Sequence, residues 1–175
     1  MTLFGFLDMI FLRYSTKKGI VMKACFIGHR KIEKDERLTT TLKEIIVELI
    51  HQGVTAFLFG SMSEFDELAW KMVTIVKREH PSVKRIYVRA VYPSIDKFYE
   101  EYLLTRYEET YFPQNIEKAG RYTYVERNYK MIDQSTYCIF YYNENYVPLS
   151  KRNSGTKLAY QYAVKKGKRI INLYQ

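Results

Sequence analysis

Cysteine is scarce in this chain, and its scarcity removes several classes of protein. Only two occur in 175 residues, Cys25 and Cys138. Two thiols cannot build the disulfide framework of a small secreted domain. Each lies inside an apolar run, where a buried free thiol in a reducing cytoplasm is expected. The three histidines, His29, His51 and His80, are scattered. No His or Cys cluster has metal-ligand spacing, so no metal is expected. Four prolines and eight glycines supply no long linker and no low-complexity segment, and the length suits one domain with a proper core. Acid is in deficit: 19 Asp and Glu stand against 28 Lys and Arg, a formal charge of +9. That balance favours anionic partners, whether nucleotides, nucleic acid or anionic lipid, and does not choose among them. Long apolar runs are missing too. The apolar stretch within the opening "MTLFGFLDMIFLRYSTKKGIV" is too short to span a bilayer and contains Asp8, so no transmembrane segment is expected. It has neither a basic leader nor a small-residue cleavage site. Residues 1–21 are therefore expected to be an extension, disordered or a misassigned start, and 22–175 a single domain.

What the chain has in quantity is alternation. "KACFIG" reads as a buried strand closed by Gly28. Leu38, Leu42, Ile45, Ile46, Leu49 and Ile50 recur at helical spacing before Gly53. "TAFLFG" is a second buried strand, and Phe65, Leu68, Ala69, Met72, Val73 and Val76 mark a second helix. "RIYVRAVYP" predicts a third strand. Ile95 to about Tyr111 predicts a helix ended by Pro113. A short strand or turn and then a helix follow through Arg127 and Met131. "TYCIFYY" is a strong strand, "GTKLAYQYAVKKG" a helix and "KRIINLYQ" the last strand. This order implies a three-layer α/β fold, a mostly parallel sheet with helices on both faces. Ligands of such sheets bind outside the carboxyl ends of the strands.

Three strand-to-helix turns should therefore share one edge. The first carries Gly28, His29 and Arg30: a residue without a Cβ, a ring and a charge. Arg30 either meets a ligand or braces Asp66 or Glu64 across the edge. The second carries Gly60 and Ser61, then Ser63 three residues before Asp66, a spacing that resembles a capping box. Glu64, Asp66 and Glu67 suit a helix start and would repel a phosphate, so this turn is expected to meet hydroxyls or a base edge. The third, Ser154, Gly155, Thr156 and Lys157, opens a helix with no acid in its first turn. Its free N–H groups, hydroxyls and lysine suit an anion, and a plain helix cap accounts for them equally well. The preceding loop carries Lys151 and Arg152 and is long enough for a flap or for disorder. In "ERNYKM", Arg127 suits a phosphate and Asn128 a base or the backbone; a solvated helix face is the plainer alternative.

Taken in order, "CFIGHR", "GSMSEFDELAW", "YVERNYKMIDQSTYCIFYY" and "SGTKLAYQYAVKKGKRIINL" resemble the YpsA-like branch of the SLOG superfamily, a largely uncharacterised bacterial group. The superfamily unites DNA-processing protein A with the Lonely Guy nucleotide phosphoribohydrolases. The resemblance covers nearly everything from Met22 onward. It implies a Rossmann-like sheet and a pocket for a nucleotide or nucleotide-derived molecule. The enzyme branch has an E-R-K-x-x-M helix and a G-G-x-G-T-x-x-E loop. Glu126, Arg127 and Met131 match the first motif, and Gly155 and Thr156 part of the second. Ala159 stands where that branch has its catalytic glutamate, which argues against a Lonely-Guy-type hydrolase, since a positioned acid or base contributes about 10²–10⁴-fold.

The expectation is thus a cytoplasmic nucleotide-binding or sensing domain. Its ligand belongs to the ADP-ribose, NAD or nucleoside monophosphate class, and no further cofactor is required. Two alternatives stay open: a hydrolase of N-glycosidic or phosphate bonds using Arg127, Asp66 or Glu64, and single-stranded DNA binding. A homo-oligomer is also open.

Overall fold

A computed structural model describes residues 21–60, 63–117, 120–146 and 154–174. Among them, six strands alternate with five helices: β1 (Met22–Gly28), α1 (Glu36–His51), β2 (Val54–Phe59), α2 (Glu64–Val76), β3 (Lys84–Val88), α3 (Lys97–Leu104), β4 (Glu109–Tyr111), α4 (Tyr122–Gln134), β5 (Tyr137–Tyr141), α5 (Gly155–Lys165) and β6 (Arg169–Asn172). All pair in parallel, in the order β4-β3-β2-β1-β5-β6. The fold is the Rossmann-like three-layer α/β arrangement.

Side-chain alternation along the strands divides the core in two. Ala24, Phe26, Phe57 and Phe59 point to α1 and α2, where they meet Leu42, Ile46, Phe65 and Val73. Cys25, Ile27, Leu58 and Phe140 point to α4 and α5, where they meet Met131, Ile132, Ala159 and Ala163. Both cysteines are free and fully buried, side by side at one register level of β1 and β5. Burial pushes the Cys25 thiol well up. Among the described residues no helix is long and apolar enough to cross a membrane.

Two expected elements differ. The third strand stops at Val88 rather than running to Pro93, because Arg89 Nη1 donates to the carbonyls of Tyr92 (3.1 Å) and Pro93 (3.3 Å) and holds the chain in a bend. The helix expected over 95–111 is confined to Lys97–Leu104, after which the chain enters β4. Asp96 caps that helix, its Oδ1 accepting from Tyr99 N at 2.8 Å. Glu108 then receives Arg85, and Lys84 reaches Glu109, so tertiary pairing with β3 takes the segment away from helix.

Candidate functional site

The sheet reverses its winding between β1 and β5, which places a crevice beyond their carboxyl ends. His29 stands there. Its backbone N–H donates to Tyr141 O (3.3 Å), carrying the β1–β5 ladder one residue past Gly28. Its buried ring accepts the Asn143 N–H at Nε2 (3.0 Å) and lies flat on Tyr146, with centroids 4.2 Å apart and planes at 26°. Tyr142 lies 5.9 Å from the same ring, tilted by 41°, and Tyr160 of α5 stacks on Tyr142 at 4.6 Å. Asn172 holds Tyr142 by both backbone groups, at 3.0 Å each. The strand ends thus carry a ladder of four rings. Burial pushes the His29 pKa below its ordinary value, and an accepting Nε2 requires the neutral ring. Beside it opens a cavity of about 240 Å³ whose lining includes His29, Lys31, Glu33, Tyr141, Tyr146 and Tyr174.

Around this ladder the predicted residues take distinct places. A Cβ on Gly28 would sit 2.5 Å from the Phe65 ring, so this glycine admits α2 against the strand end. Arg30 is exposed, and its carbonyl accepts the Glu64 N–H at 3.0 Å. The cation that braces the edge is Lys31, 2.7 Å from Glu64 Oε1, with Lys34 at 3.9 Å from Oε2. Glu64 also accepts from Ile32 N, and with Lys31 as the main cause its carboxyl is held below the usual range.

The second turn is built around a buried charge. Ser61 lies outside the described residues. Ser63 Oγ accepts the Asp66 N–H at 3.0 Å, as the capping spacing predicted. Asp66 is buried, close enough for its charge to act on Arg127, Tyr87 and Tyr107. Arg127 is not on a solvated face: it is almost wholly buried, one turn before the core residue Met131. Its Nη1 donates to the carbonyls of Gly60 and Val88 (2.9 Å to Val88), joining the ends of β2 and β3, and its Nε donates to Asn128 Oδ1 at 3.0 Å. A Cβ on Gly60 would fall on this guanidinium, 2.5 Å from Cζ. Desolvation lowers the Arg127 pKa, and the Asp66 charge opposes the shift. Arg127 and Asn128 are therefore paired beneath the sheet edge.

The third turn is more open. Ser154 is the N-cap residue of α5 but makes no side-chain cap bond, and the first turn holds no acid. A Cβ on Gly155 would meet nothing within 4 Å. Lys157 is exposed and Thr156 buried. Ala159 is fully buried against Phe140 and Cys138, so core apolar surface occupies the position of the enzyme branch's glutamate. The expected flap with Lys151 and Arg152 lies outside the described residues. Among those described, no group of three His, Cys, Asp or Glu could hold a metal ion.

The residues that sequence reasoning missed are Lys31, Tyr142, Asn143, Tyr146 and Tyr160. For Tyr142, Asn143 and Tyr146 the signal was "YYNENY", at the end of the most buried strand, where a ligand edge should begin.

A parallel, doubly wound sheet with a ring-lined crevice at its reversal point is the class this geometry defines. No protein-family model matches the chain, and no curated protein matches it. Among solved structures it is similar to DNA processing protein A from Helicobacter pylori, described for its single-stranded DNA binding mode. The TM-score is 0.55 and the identity 15%, over 86% of this chain and 64% of that one. This chain thus spans less than two thirds of that protein's length. It is also similar to the molybdenum cofactor carrier protein from Chlamydomonas reinhardtii, with a TM-score of 0.49 and 12% identity over 85% of this chain and 74% of the other. The first likeness establishes the shared fold.

Proposed function

We propose that the chain binds a nucleotide or nucleotide-derived molecule at the β1–β5 crevice, as a sensing or regulatory domain of the YpsA-like kind in the bacterial cytoplasm. Its domain is residues 22–175, with 1–21 an extension. The observation that carries this reading is the His29–Tyr146 stack at the sheet's reversal point, next to a helix start free of acid. A base adds to the exposed end of the ring ladder. The phosphate meets the N–H groups of Gly155, Thr156 and Lys157, the Ser154 hydroxyl and the Lys157 ammonium. Arg30 supplies a second cation from the first turn. The ribose faces the second turn at Gly60 and Ser61. Arg127, Asn128 and Asp66 act as positioning residues, holding the ends of β2 and β3. The buried Ala159 speaks against glycosidic hydrolysis of the Lonely Guy type.

The test is calorimetry and thermal shift with ADP-ribose, NAD and AMP, alongside mass spectrometry of any molecule that copurifies. A base stacked on an aromatic side chain gains about 1–3 kcal/mol, so Tyr146→Ala should weaken binding roughly 5- to 150-fold. No binding across the panel and no copurifying nucleotide would overturn the reading. The +9 charge and the fold shared with a single-stranded DNA binding protein support a second reading, oligonucleotide binding, which the same calorimetry with a short single strand tests.

A further inference from the structure

Two hydrogen-bond donors of the crevice have no acceptor among the described residues. His29 uses Nε2 to accept the Asn143 N–H, so its neutral ring carries the proton on Nδ1. That second N–H is unpaired, although His29 is only 3% exposed. It is not sealed off either, and the open space that the ring lines is the cavity of about 240 Å³. Tyr141, 7% exposed, lines the same cavity. Its hydroxyl oxygen accepts the Glu33 N–H at 3.4 Å, which leaves the hydroxyl proton free to donate. Buried donors are as a rule paired, so two beside one cavity point to a group that enters it.

Size, donor geometry and charge narrow that group. The volume is below the roughly 300–1,000 Å³ of pockets that enclose a whole drug-sized ligand, so the cavity takes one ring system rather than an entire nucleotide. His29 and Tyr141 are neighbours across the end of the ladder, the His29 N–H donating to the Tyr141 carbonyl, and their free donors open onto one space. A carbonyl oxygen has two lone pairs and accepts from both, whereas a ring nitrogen has one and accepts from one. The inner wall carries no free cation, because the Lys31 ammonium is bound to Glu64 at 2.7 Å and the His29 ring is neutral. Glu33 lines the cavity as well, close enough for its charge to act on the Tyr141 hydroxyl, and its carboxylate forms no ion pair among the described residues. A carboxylate among neutral donors repels a phosphate and accepts an N–H. A ring carbonyl with an N–H beside it satisfies all of these groups, and that is the lactam edge of an oxopurine or oxopyrimidine.

We propose that the crevice selects an oxo base: His29 Nδ1–H and the Tyr141 hydroxyl donate to its carbonyl oxygen, and Glu33 accepts the adjoining ring N–H. This deepens the nucleotide reading above and rests on it. The test is calorimetry of the full chain with IMP and AMP. The two share ribose and phosphate, and differ where IMP has a carbonyl and a ring N–H and AMP an amine and a ring nitrogen. The wild type should bind IMP about ten-fold or more tightly than AMP. His29→Gln keeps an amide oxygen for the Asn143 N–H but loses the Nδ1 donor, and Tyr141→Phe loses the hydroxyl. Each should bring the two affinities to within about three-fold of one another. Residues that only shape the crevice would shift both affinities together and leave their ratio unchanged. Should His29→Gln fail to fold, the ratio in Tyr141→Phe decides. IMP bound no more tightly than AMP, while some nucleotide of the wider panel binds, overturns this inference and leaves the nucleotide reading intact. So does a preference for IMP that both variants retain. If no nucleotide binds at all, the nucleotide reading falls and this inference falls with it.

Discussion

Protonating His29 removes the lone pair that accepts the Asn143 N–H, and with it the contact that ties the end of β1 to the segment carrying Tyr146. Burial already sets this ring's pKa below its ordinary value. The unfolded chain therefore takes up the proton at higher pH than the folded one. Stability from this group is complete above the free-imidazole value of about 6.5 and is lost as pH falls through the lower folded value. Thermal midpoints from about pH 7.5 to 5.5 should show a fall in the wild type that shrinks in His29→Gln, which does not titrate but offers an amide oxygen to the same N–H. Equal slopes in the two proteins would show that His29 does not titrate on unfolding. At this scale the sequence was legible in part. A ring at the end of β1 was visible in "GHR", but its partners lie 113 to 117 positions later and nothing local announces them. Gly28 and Gly60 were visible as turn residues. Their reasons, the Phe65 ring and the Arg127 guanidinium, are tertiary contacts.

The helices beside the crevice begin in two different ways. At α2 the Ser63 hydroxyl is committed to the Asp66 N–H, whereas at α5 the Ser154 hydroxyl makes no cap bond. Ser63→Ala should therefore cost about 1 kcal/mol in urea unfolding. Ser154→Ala should leave stability nearly unchanged and instead weaken binding of a phosphate-bearing ligand. A stability loss at Ser154 equal to that at Ser63 would return α5 to a plain capped helix. Elements were legible where burial made them so: β1, β2 and β5 are apolar runs closed by turns, and α1 and α2 carry clear apolar stripes. The three residues of β4 show no such pattern, because an edge strand of that length is specified by its pairing with Ile86, Tyr87 and Val88. Arg127 was harder still. Only its spacing from Met131, one turn on the same face, hinted that a guanidinium pointed into the protein.

For the molecule as a whole, the parallel topology carries the functional reading, because it brings the starts of α2 and α5 and the ends of β1 and β5 to one edge. Strand–helix alternation was enough to foresee that edge; the identity of β1 and β5 as the reversal pair needed the strand order. The +9 charge acts at this scale as well, as a long-range field rather than a contact. Its range is set by salt, with a Debye length of about 10 Å at 0.1 M and 3 Å at 1 M. If the crevice holds a base by stacking and a phosphate by charge, the two should respond differently. AMP and ADP-ribose should bind several-fold more weakly as salt rises from about 0.05 to 0.5 M, while adenosine, with the same base and no phosphate, should change little. Lys157→Ala should flatten the salt dependence of AMP and leave adenosine alone. Equal salt dependence for all three ligands would mean that the phosphate does not sit at the start of α5. A much steeper dependence for a single-stranded oligonucleotide, with tighter binding than any mononucleotide, would move the assignment to nucleic acid, since each neutralised phosphate adds about 0.7 to the logarithmic slope for single strands.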